Sequence, residues 1–376
     1  MSNPTTKHGL NMYDMLSYMQ KAIRRGKYTD AAFAANEIET TYRRVMWNRL
    51  LVITSEDCYG VLTKEVLALK KQDDESRNNQ NVARAIALMC KSLKSRDACY
   101  FACNFVLCTR KPQDYSITEE DINRMKEILP YTADGPKQYD ECGFEQMSIF
   151  DFVEEIEEGK EVQQSMEPYE SGKGLMIAIS HRDMDMIGYY IDMLRREYRE
   201  YIWQILLYLA TNEAEIDILD EISALNEADE IVNRNKTDKD EIFVSKAALI
   251  LCYVDDNSID GIESSDMIDV HKLIDWRQYN IKPIEKCYDS RHEIPDWVYD
   301  CHTLKGRKMG RTDWDMVVDE QNALHPKKFA YFDNASWLYT FEDDYKQKRI
   351  SYAGMVPIWN NAKDHEANPV EPIPYE

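Results

Sequence analysis

Residues 22–55 align without a gap on residues 178–211 when the chain is shifted by 156 positions, and seven of the 34 aligned positions are identical. The identities are Ala22/Ala178, Ile23/Ile179, Tyr42/Tyr198, Arg43/Arg199, Trp47/Trp203, Leu50/Leu206 and Leu51/Leu207. A second diagonal pairs VARAIALMC (Val82 to Cys90) with VSKAALILC (Val244 to Cys252), so the offset grows from 156 to 162. Two diagonals in the same order define a diverged tandem duplication of a unit of roughly 150 residues, an ordinary domain size. Whatever this chain folds into, it has to do so twice.

The apolar spacing inside each copy is helical. Ile38, Tyr42, Val45, Met46, Leu50 and Ile53 recur mostly at steps of three and four, as do Leu194, Tyr198, Ile202, Ile205 and Leu209. That spacing collects side chains on one face of a helix. With 13 Gly and 12 Pro in 376 residues the chain lacks the turns that a sandwich or barrel needs every 8 to 12 residues. The expected fold is all-α: two related helical bundles from the tandem duplication, with a C-terminal arm. Tyr42, Tyr198, Trp47 and Trp203 are read as core residues placed by packing.

Charge divides the chain unevenly. Residues 1–130 carry 20 basic and 16 acidic residues, a balance of +4, whereas the whole chain is at −22 and the remainder therefore at −26. The expected organisation is a mildly basic helical unit at 1–130, an acidic linker at 131–174, a second helical unit at 175–290, and a basic loop with a C-terminal arm at 291–376. The opening residues hold no apolar signal-type core and no run reaches the roughly 18 apolar residues of a membrane span, so a soluble, cytoplasmic protein without membrane contact is expected. Nine cysteines, several inside apolar helical runs, read as buried free thiols of a reducing compartment. No CxxC pair or HExxH helix is present, and no metal site is expected.

Three segments carry a resemblance. YDMLSYMQKAIRRGKYTDAAFAANEIE (Tyr13 to Glu39), RLLVITSEDCYG (Arg49 to Gly60) and LMCKSLKSRDACYFACNFVL (Leu88 to Leu107) come in that order over about 95 residues. Together they resemble the C-terminal helical region of the replication-associated recombination ATPases of the MgsA/RarA type. Tyr13, Asp14, Ser17, Lys21, Ile23, Arg24, Arg49, Leu50, Ser55, Glu56, Asp57, Gly60, Lys94 and Ser95 carry the likeness. This chain reads SEDCYG where that family reads SEDIG, and its second copy has LATNEAE at Leu209 to Glu215 instead. No stretch fits GxxxxGK[ST], the loop whose backbone N–H groups cradle phosphates, so neither ATP binding nor any other cofactor is expected. The resemblance implies a helical module, bacterial or phage-borne, that holds subunits together close to replication-fork DNA.

A phosphate-binding surface is expected from two basic groups. One comprises Lys21, Arg24, Arg25, Lys27, Arg43, Arg44 and Arg49 in the first copy; the other is Lys305, Arg307, Lys308 and Arg311 between His302 and Arg311, a stretch without an acidic residue. Arginine forks bind phosphate oxygens in pairs, and Gly306 and Gly310 let backbone approach closely. The functional expectation is a non-enzymatic module of DNA replication or recombination that assembles with itself or with a replication protein and contacts DNA. One alternative is an acidic decoy occupying the basic cleft of a nucleic-acid enzyme. Another is an enzyme that works on a phosphate-bearing substrate through Asp300, His302 and the residues up to Arg311. No catalytic set is evident, because Cys301 and His302 are neighbours in sequence and point different ways.

Overall fold

The computed structural model describes residues 4–58, 62–92, 94, 96–106, 166–213, 216–237, 239–253, 281–312, 315–316, 319–320 and 323. Among these residues the structure is all-α, with no strand beyond the isolated bridges Thr5–Asn11 and Cys58–Lys94. The chain forms two compact units, one of residues 1–104 with 214–376 and the other of residues 105–213.

In the larger unit, α1 (Met12–Arg24) starts where the Asn11 side chain accepts the backbone N–H groups of Tyr13 and Asp14 at 2.8 and 3.2 Å, satisfying donors that a helix start leaves orphaned. It ends in a left-handed residue, Gly26 at φ 66°, with Gly26 N–H bonded to the Ile23 carbonyl and Lys27 N–H to that of Ala22. This is the glycine-terminated helix end of the Schellman type. The long α2 (Tyr28–Glu56) follows and packs on α1 through Met15, Met19, Ile23, Phe33, Ile38, Leu50 and Ile53. Then come α3 (Thr63–Glu75), α4 (Asn79–Lys91) and the short α5 (Asp97–Phe101), which widens into a π-helical turn at Ala102–Val106.

The smaller unit contains α6 (Met166–Ser180), α7 (Met184–Leu194) and α8 (Arg199–Glu213), packed through Leu175, Ile179, Ile187, Ile191, Ile202 and Leu206. Shifted by 156, α1 falls on α6 and α2 on α7 with α8. The correspondence reaches single hydrogen bonds: Arg182 is left-handed at φ 56°, its N–H bonds the Ile179 carbonyl and Asp183 N–H bonds that of Ala178. Each of these residues lies 156 positions after its counterpart at Gly26. Tyr42, the one non-helical residue inside α2 at φ −123°, corresponds to Tyr198, where the second copy breaks between α7 and α8. Tyr42 is half-buried and Tyr198 exposed, so these two do not belong to the core as expected, whereas Trp47 and Trp203 do.

The second copy continues with α9 (Ile216–Asn233) and α10 (Ile242–Tyr253), the counterparts of α3 and α4, but both lie in the larger unit. The compact units divide after residues 104 and 213. Helix α9 packs on its own counterpart α3, and Lys71 pairs at 2.7 Å with Glu227, the residue 156 positions later.

A buried ion pair plugs this seam. The Glu221 carboxylate, fully buried, accepts the Thr63 and Lys64 N–H groups at 2.9 Å each and so caps the start of α3. Lys246, also fully buried, donates to the Thr54 and Cys58 carbonyls at 2.7 and 3.3 Å at the end of α2, 4.0 Å from Glu221. An anion at a helix N-terminus and a cation at a C-terminus both complement the helix dipole. Burial raises the Glu221 carboxyl and lowers the Lys246 ammonium, each opposed by the other's charge.

Residues 281–300 then strap back over α1 and α2. Tyr28 donates to the Lys282 carbonyl at 2.5 Å, Tyr18 meets His292 Nε2 at 2.5 Å, and Ser17 donates to the Val298 carbonyl at 3.0 Å. The Arg25 guanidinium lies 4.3 Å over the Trp297 ring. Residues 281–290, expected in the second helical unit, thus belong to this strap. The expected linker at 131–174 falls outside the described residues up to 165, and the tail beyond 323 does so entirely.

Two expected outcomes follow from these contacts. Gly26→Ala should destabilise the protein by about 1 kcal/mol and Arg182→Gly stabilise it by up to about 1 kcal/mol, because a side chain is strained at positive φ; urea midpoints at equal m-value would check this. Lys246→Met should cost about 3 kcal/mol by leaving Glu221 buried and unpaired. Adding Glu221→Gln should recover part of that loss, measured as a double-mutant coupling energy.

Candidate functional site: a polar cavity with a basic lip

The C-terminal turn of α1, the end of α2, the start of α5 and the segment after the strap converge on a cavity of about 560 Å³. Its inner wall is charged. Asp57, fully buried, accepts from Arg24 Nε at 2.6 Å, Arg24 Nη2 at 3.3 Å, Gln20 at 2.8 Å and Arg96 Nη1 at 3.4 Å. Arg96 also reaches Glu56 at 2.6 Å and Glu320 at 3.0 Å, while Arg24 Nη1 lies 3.2 Å from Glu320. Two guanidinium groups and three carboxylates therefore form one network. It joins α1, α2 and the entry to α5 to a residue more than two hundred positions later in the chain.

The electrostatics follow from that crowding. Burial works against the charged form of Glu56, but Arg96, Arg49 and Arg24 outweigh it and hold the carboxyl at about 2. Burial likewise opposes the Arg24 cation, and Asp57 and Glu320 reverse the effect and raise it. At the outer wall Lys21 donates to the Val298 carbonyl at 3.0 Å and pairs with Asp300 at 2.6 Å. Burial nevertheless lowers the Lys21 ammonium, whereas Asp300 stays below the usual carboxylate range because the charge and hydrogen bond of Lys21 outweigh its burial.

These placements correct part of the expected phosphate surface. Lys21, Arg24 and Arg25 are buried and held by internal carboxylates, Arg25 by Asp319 at 2.6 Å. Arg43 is forked onto Asp73 at 2.7 and 2.6 Å and also holds Glu39 and Asn79, with the Trp47 indole donating to the same Asp73 at 2.7 Å. Lys21, Arg24 and Arg25 sit at the end of α1 and Arg43 inside α2, and only the fold decides that carboxylates meet them. Lys27 and Arg49 are half-buried, Arg49 donating to Gln20 at 3.1 Å, and Arg44 is exposed.

The basic loop is different. It folds as α11 (Leu304–Lys308), started by the Thr303 hydroxyl accepting the Gly306 N–H at 3.0 Å and closed by Gly310 at φ 76°. Gly306 sits directly on the Asp300 carbonyl, where any side chain would collide. Lys305, Arg307, Lys308 and Arg311 are all exposed, Lys305 lying 3.8 Å over the Tyr299 ring. His302, Thr303, Leu304 and Arg307 form the lip of the cavity.

Asp300 is committed to Lys21 and to the backbone N–H of His302 at 2.9 Å, and the Cys301 thiol faces the Met316 sulfur at 3.7 Å. Among the described residues no group of three or more His, Cys, Asp or Glu is arranged to hold a metal ion, and no helix is long and apolar enough to cross a membrane. The sequence reading missed Arg96, Glu320, Cys99 and Cys103 as members of the cavity wall. Asp57 is the centre of the network, and Lys94 caps the end of α4 by donating to the Met89, Cys90 and Ser92 carbonyls. Comparisons with family models, with curated proteins and with solved structures found no match.

The ionised Glu56 gives a pH test. Its folded carboxyl, at about 2, lies below its ordinary value of 4.5, so the native state binds fewer protons than the unfolded chain between those values. Stability from this group is full above about pH 4.5 and disappears as pH falls towards 2. Glu56→Gln should flatten the acid limb of the stability curve, seen as urea midpoints that vary less between those pH values than in the unmodified protein.

Proposed function

We propose that this protein is a non-enzymatic helical module working alongside DNA replication or recombination, which contacts a nucleic-acid backbone with the segment 304–311 and assembles with itself or with a replication protein. The observation that carries this reading is the state of the lip. Lys305, Arg307, Lys308 and Arg311 are exposed, and among the described residues none of them forms a salt bridge, Asp14 and Asp315 reaching Lys305 and Arg311 only by longer-range attraction, although the chain holds 68 acidic residues. A cationic helix turn left open on so acidic a chain suits an external anion. The likeness of Tyr13 to Leu107 to the helical region of replication-associated recombination ATPases points to the polyanion being DNA.

The net charge of −22 opposes this contact only at long range. Charges beyond the Debye length of roughly 8 Å at physiological salt are screened, so a local patch can prevail. Backbone binding through a patch of this size releases few counterions, giving weak, sequence-independent affinity that falls with salt with a slope of about −3. Replacing Lys305, Arg307, Lys308 and Arg311 together by Glu should reduce affinity for forked DNA at low salt at least about tenfold and flatten the slope. Fluorescence anisotropy at two salt concentrations reads both. Unchanged affinity and slope would remove the loop from the reading, and no binding by the unmodified protein at low salt would favour an acidic decoy that binds a basic protein cleft.

A further inference from the structure

Of the described cysteines, Cys58, Cys90, Cys252 and Cys287 are buried, as expected of inert core thiols. Cys99, Cys103 and Cys301 are partly exposed, Cys301 with its thiol 3.7 Å from the Met316 sulfur. Cys99 and Cys103 both line the charged cavity, within reach of a small solute entering past the lip. They are spaced four residues apart, Cys99 on α5 and Cys103 in the π-helical turn that extends it, a spacing that puts two side chains on one helical face. Across four residues of an α-helix the Cα atoms are about 6 Å apart, inside the usual disulfide span of about 4.4–6.8 Å.

The surroundings make the pair reactive. Arg96 Nη2 lies 3.2 Å from Cys99 Sγ. Cys103 beside it and burial raise the Cys99 thiol well above its usual range, against the Arg96 charge. Cys99 in turn lowers the Cys103 thiol, burial opposes, and the Arg96 charge lowers it further, against a smaller rise from Glu56 and Glu320. Thiolate character beside a guanidinium is what distinguishes a reactive cysteine from a packed one.

We infer that Cys99 and Cys103 form a peroxide-reactive dithiol that closes to an intramolecular disulfide inside the cavity. The Cys103 thiolate attacks hydrogen peroxide, breaking the O–O bond; it becomes the sulfenic acid and hydroxide leaves. The Cys99 sulfur then attacks the Cys103 sulfur, its proton passes to the departing hydroxyl, and water leaves as the S–S bond forms. Both thiols are oxidised by two electrons in all, and one peroxide is reduced. A thiol reductant reverses the step.

The test treats the reduced full chain with hydrogen peroxide, alkylates the remaining thiols in denaturant and maps them by mass spectrometry. The expected result is loss of alkylation at Cys99 and Cys103 together, before any other cysteine, restored by dithiothreitol. Cys99→Ser should stall at a dimedone-reactive sulfenic acid on Cys103, and Cys103→Ser should slow the reaction at least about tenfold, since the remaining thiol is the poorer thiolate. Should a serine variant fail to fold, the unmodified protein is titrated with phenylarsine oxide, which binds paired thiols and should protect these two from alkylation. Peroxide oxidation that spares the pair, an unslowed Cys103→Ser protein, or absence of arsenical protection would each overturn the inference.

Discussion

The Asp57 carboxylate is the point on which the larger unit depends. It is fully buried and receives Arg24, Gln20 and Arg96, so α1, α2 and the entry to α5 are fixed to one atom group. A buried carboxylate with one partner missing would be costly, and the two arginines in turn need Glu56 and Glu320. The network therefore closes only when the residue at 320 has come back to the bundle. Because these groups are charged and directional, they allow the helix ends one register, which apolar packing of Leu50 or Ile53 would not enforce alone.

Duplication supplies the rest of the architecture, and its two halves are related by local rules before any packing. The left-handed helix end at Gly26 and Arg182 repeats with its hydrogen bonds because the turn geometry serves both copies, although the second has a side chain where glycine is favoured. At the matching position both copies interrupt the helix, α2 with a kink at Tyr42 and the second copy with the break between α7 and α8 at Tyr198. The pairing of α3 with α9 then uses the likeness of the copies, and Glu221 with Lys246 seals it by answering the dipoles of α3 and α2.

This arrangement explains why the cavity has a charged floor and a basic rim. Cations that face the interior meet carboxylates at converging helix ends, as Lys21, Arg24 and Arg25 do. Cations on α11 face outward because Gly306 lets that short helix press its other side against Asp300. One charge type thus takes two roles, holding the fold within and meeting solvent at the rim. The pair Cys99 and Cys103 lies on the wall between the two environments, close enough to Arg96 to feel its charge and open to the cavity.

By itself the sequence determined the helical class and the duplication with its 156-residue period. Periodicity, turn chemistry and self-similarity are local properties, and local properties survive in a single chain read in order. Trp47 and Trp203 were legible as core residues for the same reason. What only the tertiary structure decided was partnership: that Arg24 meets Asp57, that Arg96 meets Glu320, that the second-copy helices α9 and α10 lie in the unit of the first copy. Burial of a charged side chain depends on which distant segment returns to cover it. A basic residue on a helix face reads alike in sequence whether it ends inside against a carboxylate, as Arg43 does, or outside, as Arg44 does. Desolvation and pairing of ions are set by three-dimensional neighbours, and those are fixed only once the strap at 281–300 and Glu320 have closed over α1.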